Sequence, residues 1–162
     1  MPRPSKYLAT YLNDHLLGAT AGSELVRRAA RENEGAELGA FLAQLAGELE
    51  ADREALKAVM GELGVKADRV KVAAGWTAEK VGRLKPNAQL RGYSPLSPLV
   101  ELEALSIGIQ GKLAMWRALA EVADEVGLDR ARMQELAVRA ESQRDDVERH
   151  RVQVARSALT AV

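Results

Sequence analysis

Apolar residues recur at alternating intervals of three and four along four long stretches of this 162-residue chain. That spacing puts the apolar side chains on one face of an α-helix, so each stretch predicts an amphipathic helix with one buried side. Turn and cap residues separate the stretches, among them Gly35, Gly64, the pair Ser97-Pro98 and Gly127. The predicted helices cover residues 6–32, 36–63, 98–126 and 129–160. The sequence therefore predicts an all-α fold.

The lengths of the connections predict how these helices are arranged. A short turn joins the first helix to the second, and another joins the third to the fourth; short links make antiparallel neighbours. The crossover between the second and third helices covers residues 64–97, which is long for an unstructured loop in a compact domain. Apolar residues at helical spacing from about residue 67 to 84 predict a short fifth helix there. We expect residues 1–162 to form one bundle domain.

The composition limits the classes of function. The chain has 23 basic and 23 acidic residues, so no net charge favours nucleic acid or a membrane surface. It has no cysteine, which excludes disulfides, thiolate metal sites and a cysteine nucleophile. The N-terminal residues lack the apolar segment of a signal peptide, and no apolar run approaches the roughly 20 residues that span a bilayer. These features predict a soluble cytoplasmic protein.

The four helices differ most at their middles. The first and third helices place Ala19 and Ile109 at the centres of their apolar faces. The second and fourth interrupt their apolar faces with the polar pairs Asp52-Arg53 and Gln143-Arg144. Four nearby glycines predict close helix packing or a slight bend: Gly18, Gly22, Gly108 and Gly111. The centre of the bundle is therefore predicted to be tightly packed but partly polar.

With two helix pairs and one long crossover, the chain resembles the ferritin-like superfamily, in particular its small stress-associated or uncharacterised bacterial branches. Its di-iron members carry one glutamate on each of the first and third helices and Glu-x-x-His on the second and fourth. The resemblance places the first two ligand positions at Ala19 and Ile109, which offer no side-chain donor. Glu50 and Glu141 match the remaining carboxylates, but arginines replace the histidines. Because a guanidinium has no lone pair to offer, the resemblance implies a bundle without a metal centre or cofactor.

We expect a layer of polar side chains in place of that metal centre. In this hypothesis the two arginines of the layer pair with its carboxylates, because a buried charge without a partner is strongly unfavourable. The alternative is that the arginines extend past the edge of the bundle into solvent. The predicted layer consists of His15, Glu50, Asp52, Arg53, Glu141, Gln143 and Arg144.

The crossover carries an excess of basic residues. From Val65 to Ser97 there are seven basic residues and two acidic ones, whereas the second and third helices are acidic. One interpretation is that the crossover lies along these acidic helices. The other is that it forms a surface for a protein partner or anionic lipid; too few aromatic residues accompany it to favour nucleic acid. The basic residues are Lys66, Arg69, Lys71, Lys80, Arg83, Lys85 and Arg91.

Signatures of catalysis do not occur: the sequence has no nucleophile elbow, phosphate loop or dinucleotide fingerprint. We therefore expect a non-enzymatic interaction or structural protein, of a kind that includes stress-related proteins. The resemblance to ferritin-like proteins also implies a homodimer. Two alternatives stay open. One is a metal-binding protein, either a di-iron oxidase or a peroxide-stress protein. The other is a small-molecule binder with a pocket around Trp76 and Trp116.

Overall fold

The computed structural model describes residues 4–68 and 92–160, and over these ranges the chain is helical and has no β-strand. The helices are α1 (Lys6–Glu32), α2 (Glu37–Glu62), α3 (Ser97–Glu121), α4 (Ala123–Val126) and α5 (Arg130–Thr160). The predicted all-α class is confirmed. None of the described helices is both long and apolar enough to cross a membrane. Most of the fifth helix expected at 67–84 lies outside the described residues.

Short polar side chains determine where two of the long helices begin. Ser5 caps α1, and its hydroxyl oxygen accepts a hydrogen bond from the backbone N–H of Leu8 at 3.1 Å. Asp129 precedes α5 and accepts from the backbone N–H groups of Ala131 at 2.9 Å and Arg132 at 3.3 Å. These bonds satisfy N–H groups that have no partner within the helix, and they therefore fix its first turn.

Glycines in the left-handed conformation terminate helices. Gly64 follows α2 with φ of 66°, and Gly127 ends α4 with φ of 79°. Beyond Gly127, the N–H of Leu128 donates to the carbonyl of Ala123 at 2.8 Å, a bond typical of glycine-terminated helices. The single helix expected from residue 98 to 126 is divided, because Val122 adopts φ of −99° and ψ of 12°. The chain therefore has α3 and the short α4 where one helix was predicted.

Gly39, in the first turn of α2, packs against the backbone carbonyl of Asn33 in the link from α1. A β-carbon at this position would overlap that carbonyl, and backbone cannot move aside as a flexible side chain can. We expect Gly39→Ala to lower the free energy of unfolding by about 1–3 kcal/mol. Gly47→Ala on the same helix is the matched control, since a β-carbon there meets no atom within 4 Å.

Alanine at position 47 should instead raise the free energy of unfolding by roughly 0.5–1 kcal/mol, because alanine loses less conformational entropy in a helix than glycine does. Urea unfolding of both variants measures the two changes. Effects of the same sign and size at Gly39 and Gly47 would contradict the close contact with Asn33.

The four long helices form two antiparallel pairs, α1 with α2 and α3 with α5. An ion pair of 3.1 Å between Arg28 and Glu101 joins the end of α1 to the start of α3. Another of 2.6 Å between Glu62 and Arg132 joins the end of α2 to the start of α5. Each ion pair joins the C-terminal end of one helix to the N-terminal end of another. The helix α1 is therefore also antiparallel to α3, and α2 is antiparallel to α5.

The chain leaves α2 at one end of this assembly and enters α3 at the other. Near the start of α1, Asn13 donates to the carbonyl of Lys66 at 3.2 Å and accepts from the N–H of Asp68 at 2.7 Å. Near the end of α1, the Asn33 amide donates to the hydroxyl of Tyr93 at 2.6 Å. The helices α2 and α3 therefore run in the same direction, which a short turn between them would not allow.

The apolar core is divided into two clusters along the helix axes. The first, toward the start of α1, includes Leu16, Leu56, Leu113, Trp116 and Met133. The second, toward the end of α1, includes Val26, Leu42, Leu105, Ile109 and Val147. Between them, α2 and α5 contribute two almost fully buried polar side chains, Asp52 and Gln143. Polar side chains of α2 and α5 therefore interrupt the apolar core between the two clusters.

Candidate functional site

Asp52 is the centre of a group of polar side chains between the two apolar clusters. Its side chain is 4% exposed, and its two carboxylate oxygens accept hydrogen bonds from Lys112 on α3 and Arg139 on α5. The Lys112 ammonium also donates to Oε1 of Gln143 at 2.5 Å. We call these four residues the central cluster. It connects α2, α3 and α5 at the level where the apolar core is interrupted.

The central cluster holds two cations and one carboxylate, so its formal charge is positive. The Lys112 side chain is 14% exposed, whereas that of Arg139 is 42% exposed. Burial lowers the pKa of Lys112 below its usual range; the charge of Asp52 opposes this shift and that of Arg139 adds to it. The two cations therefore differ in their surroundings: Lys112 is largely shielded from water, whereas water reaches Arg139.

A cavity of about 250 Å³ lies beside the central cluster, between α1, α2 and α3. Four glycines line it, Gly18 and Gly22 on α1 and Gly108 and Gly111 on α3. Close packing was predicted at these glycines, but a β-carbon built at any of them would meet no atom within 4 Å. The absence of side chains at these four positions therefore leaves open volume between α1 and α3 and does not bring the two backbones into contact. Because a cavity of roughly 150 Å³ holds benzene, this one accommodates about ten non-hydrogen atoms.

The wall of the cavity is mostly apolar. Large apolar side chains on it are Leu49, Leu56, Leu105, Ile109, Met115 and Trp116. Asp52 and Lys112 of the central cluster reach the same wall, as do His15 and Asp14 of α1. An apolar space with a few convergent polar groups is the usual composition of a small-molecule site.

Besides Nε of Arg53, two buried side-chain N–H donors have no hydrogen-bond partner within the described part of the chain. One is the indole N–H of Trp116, a residue that is fully buried and lines the cavity. The other is Nε2 of Gln143, whose Oε1 accepts from Lys112. Since buried polar groups in native proteins nearly always have a partner, these donors provide capacity for binding acceptor atoms.

Three of the seven residues predicted for the polar layer lie at the cavity or in the central cluster. Asp52 and Gln143 belong to the cluster, and His15 lies on the cavity wall. The His15 ring makes an edge-on contact with Tyr11, with ring centroids 4.6 Å apart. The two positions that the resemblance assigns to lost metal ligands, Ala19 and Ile109, line the same cavity.

Glu50 and Arg53 lie on the side of α2 and pair with each other at 2.6 Å. Glu50 also pairs with Arg27 of α1 at 2.7 Å. Of the three carboxylates expected as partners of the arginines, Asp52, Glu50 and Glu141, Arg53 pairs with Glu50 and not with Asp52, because adjacent residues of an α-helix point about 100° apart. With Asp52 directed inward, the arginine that follows it is directed toward the edge.

Glu141 and Arg144 have the corresponding position on α5. Arg144 pairs with Asp145 at 2.9 Å, lies 3.6 Å from Glu141, and donates to Gln110 at 3.2 Å. Its side chain is 31% exposed. The inward position on this helix is taken by Gln143, so Arg144 pairs along the helix surface, with the expected partner Glu141 and with Asp145, and not with Asp52.

Lys112 and Arg139 belong to the central cluster although neither was predicted to. Lys112 follows Ile109 by three residues and precedes Trp116 by four, so helical spacing places it on the same buried face. That spacing was the available signal. Arg139 is nearly half exposed and reaches Asp52 from the edge of α5, which the spacing of α5 alone does not indicate.

The residues at this level do not fit the binuclear metal centre of ferritin-like proteins. Ala19 and Ile109 have no side-chain donor, and both oxygens of Asp52 bind Lys112 and Arg139. Within residues 4–68 and 92–160, no group of three or more histidine, aspartate or glutamate side chains is placed to hold a metal ion. An ammonium group on the wall would also repel a bound cation.

The predicted basic surface falls almost entirely outside the described residues. Lys66 is within them; its side chain is exposed and its carbonyl accepts the hydrogen bond from Asn13. The basic surface stays a prediction. The residues outside the described ranges are Arg69, Lys71, Lys80, Arg83, Lys85 and Arg91, together with Trp76.

Burial lowers the pKa of His15 below its usual value near 6.5, and the charge of Asp14 partly opposes this shift. The unfolded protein therefore binds the His15 proton at a higher pH than the folded protein does. The contribution of His15 to the free energy of unfolding is fully present above about pH 6.5, and it is lost as the pH falls toward the lowered pKa.

We expect the free energy of unfolding to fall as the pH is lowered from about 7.5 to about 5.5, and His15→Asn to reduce that fall. Urea unfolding at a series of pH values measures both. An unchanged pH dependence in the variant would contradict the assignment of the transition to His15.

The site combines an apolar cavity, a positively charged cluster and N–H donors without partners in the described ranges. Comparison of the chain with protein families, with curated proteins and with solved structures found no match. A function is therefore inferred from the chemistry of the cavity itself.

Proposed function

We propose that this protein binds a small, largely apolar molecule in the cavity between α1, α2 and α3. The observation that carries the proposal is a space of about 250 Å³ whose apolar wall is interrupted by buried groups of the central cluster. Small-molecule sites have this composition and occur between the helices of bundles. Protein interiors are otherwise packed as densely as organic crystals, so open space beside four glycines favours a ligand site over ordinary core.

A ferritin-like four-helix bundle is the fold we propose for this chain. Its support is the order of the helices: two antiparallel pairs, with a connection that begins at one end and returns at the other. In such a bundle, the level of Ala19 and Ile109 corresponds to the di-iron centre of ferritin-like proteins. Both residues line the cavity. The protein would then carry a binding cavity where those proteins carry metal, and act as a binding protein rather than an enzyme.

The remaining predictions about partners rest on the resemblance and on the charge pattern. A homodimer, a protein partner at the basic crossover and a cytoplasmic location stay predictions. Self-association would use exposed apolar side chains on the long helices, such as Ile107 on α3 and Val138 on α5, which are 75% and 66% exposed. A bound small molecule is compatible with such an interaction role.

Trp116 allows binding to be measured directly, because its indole lies on the cavity wall. Replacing Trp76 by phenylalanine would leave Trp116 as the single tryptophan of the chain. Naphthalene is an apolar probe of suitable size. We expect it to change the emission of Trp116 saturably, to bind with one-to-one stoichiometry in calorimetry, and to raise the melting temperature, as a ligand of the folded state must.

A matched pair of glycine substitutions tests whether the probe occupies the cavity. Gly22→Leu adds a side chain to the cavity wall and should abolish binding, whereas Gly47→Leu adds the same side chain elsewhere and should not. Neither new β-carbon meets an atom within 4 Å, and leucine favours helix more than glycine does, so both variants should fold. The proposal fails if the folded wild-type protein shows no saturable binding, or if both variants bind equally.

A further inference from the structure

We infer that the molecule bound in the cavity is the anion of a small apolar carboxylic acid, with its carboxylate on Lys112 and Trp116 and its hydrocarbon part against the apolar wall. This inference rests on the proposed function and specifies the chemical class of the ligand.

The first argument is charge. Two cations, Lys112 and Arg139, share the single carboxylate of Asp52, and of the two only Lys112 lies on the cavity wall. Buried charges are normally paired, because their transfer from water is costly. An anionic ligand would give the two cations a second carboxylate, whereas a neutral ligand would not and a cationic ligand would be repelled.

The second argument is hydrogen bonding. A lysine ammonium has three N–H donors, and two of those of Lys112 are used, by Asp52 and by Gln143. Trp116 offers an indole N–H that has no partner within the described part of the chain. The two residues are four apart on α3, so they are neighbours on one helix face. Both residues also line the cavity, and we assign one oxygen of the ligand carboxylate to each of their donors.

Acidic groups near the cavity do not cancel this preference. The carboxylate of Asp52 is already bound to two cations. Glu48 on α2 contributes to the field at Lys112, but less than Asp52 does. Asp14 lines the cavity beside His15 and is exposed, so solvent weakens its effect on a buried anion.

The size of the cavity limits the hydrocarbon part. Space for about ten non-hydrogen atoms corresponds to an aliphatic acid of about eight carbons or to a phenylpropionate. Longer chains would have to extend out of the cavity. The leucine, isoleucine and methionine side chains on the wall favour such a hydrocarbon over a polar ligand of equal size.

Three probes of the same chain length separate charge from shape: octanoate, octanamide and octylamine. Octanamide matches octanoate in size and has an acceptor oxygen but no charge. We expect the full-length protein to bind octanoate roughly tenfold more tightly than octanamide in calorimetry at neutral pH, because hydrogen bonds to ionised groups are about twice as strong. We expect octylamine to bind most weakly.

Lys112→Met removes the ammonium while keeping a flexible apolar chain, and it leaves Asp52 paired with Arg139. The affinity for octanoate should then fall roughly tenfold, whereas the affinity for octanamide, which loses a hydrogen bond but no charge pair, should fall less. Lys57→Met is the matched control, since Lys57 is exposed on α2 and pairs with Glu54 at 2.7 Å. That variant should bind all three probes as the wild-type protein does.

The outcomes distinguish this inference from the proposed function. If octanamide or octylamine binds as tightly as octanoate, the carboxylate assignment is overturned while the binding cavity stands. If none of these probes binds and naphthalene also fails to bind, the proposed function is lost together with the inference. The relative affinities of the three probes for the wild-type protein test the carboxylate assignment even if Lys112→Met does not fold.

Discussion

Asp52→Ala is expected to lower the free energy of unfolding by about 3–5 kcal/mol, because it removes the carboxylate that binds both cations of the central cluster. Arg139 is 42% exposed and can turn toward solvent. Lys112 is 14% exposed and would keep only the Oε1 atom of Gln143 from its present hydrogen bonds. Most of the loss should therefore come from the unpaired ammonium. Urea unfolding followed by circular dichroism measures it.

Glu50→Ala is the matched control, two residues earlier on the same helix. Glu50 pairs with Arg27 and Arg53, but its side chain is 30% exposed, and such ion pairs contribute about 0–1 kcal/mol. Adding Lys112→Met to Asp52→Ala should recover much of the loss, since the ammonium is then gone. Equal losses for Asp52→Ala and Glu50→Ala would contradict the role of Asp52 as the buried counter-ion.

Trp116→Ala is expected to lower the free energy of unfolding by about 3–5 kcal/mol as well. Trp116 has no exposed surface and belongs to the first apolar cluster. Its removal would enlarge a space that is already open beside it, so the neighbouring side chains could not readily close over the gap. The measurement is again urea unfolding.

Two companion substitutions test the cause of that loss. Trp116→Phe should retain most of the stability, because the indole N–H makes no hydrogen bond within the described residues and its removal breaks none there. Tyr7→Ala should change the free energy of unfolding by less than about 0.5 kcal/mol, since Tyr7 is 86% exposed. A loss at Trp116→Phe as large as that at Trp116→Ala would show that the N–H group, not apolar packing, stabilises the fold.

The helices could be predicted from the sequence because the signals that define them are local. The range predicted for the first helix, 6–32, agrees with the observed Lys6–Glu32, where Ser5 forms the cap. The predicted start of the fourth helix was Asp129, one residue before Arg130, because the cap residue was counted as part of the helix. The break at Val122 was not predicted, since valine is compatible with helix and only the φ and ψ angles show the interruption.

The site was predictable only in part, because it depends on how the helices are rotated against one another. Asp52 and Gln143 could be placed at the centre, since each interrupts an apolar face. The partners of Asp52, which are Lys112 and Arg139, could not be predicted. Their contacts depend on the relative positions of α2, α3 and α5. Arg53 and Arg144 each follow an inward-facing residue, Asp52 or Gln143. The rotation of about 100° per helical residue directs both arginines away from the Asp52 carboxylate.

A pocket near Trp116 was one of the alternatives left open by the sequence, but its position beside the four central glycines could not be predicted, because glycine has two opposite effects between helices. At Gly39 the absence of a side chain allows backbones to touch, which is the effect that was expected of the central glycines. At Gly18 and Gly108 the helices stay apart, and the same absence leaves open volume. The separation of α1 from α3 decides between the two, and no local pattern encodes that distance.

The central cluster has a consequence for how the chain selects one arrangement of its helices. Leucine and alanine stripes are interchangeable, so α2, α3 and α5 would bury nearly as much apolar surface if one of them slid by a turn. A slide of α3 would take the ammonium of Lys112 away from Asp52 and set it against aliphatic side chains, at the cost of a buried unpaired charge. A buried polar contact of this kind specifies register, as it does in coiled coils. The same contact that shapes the cavity therefore also fixes the axial alignment of the helices around it.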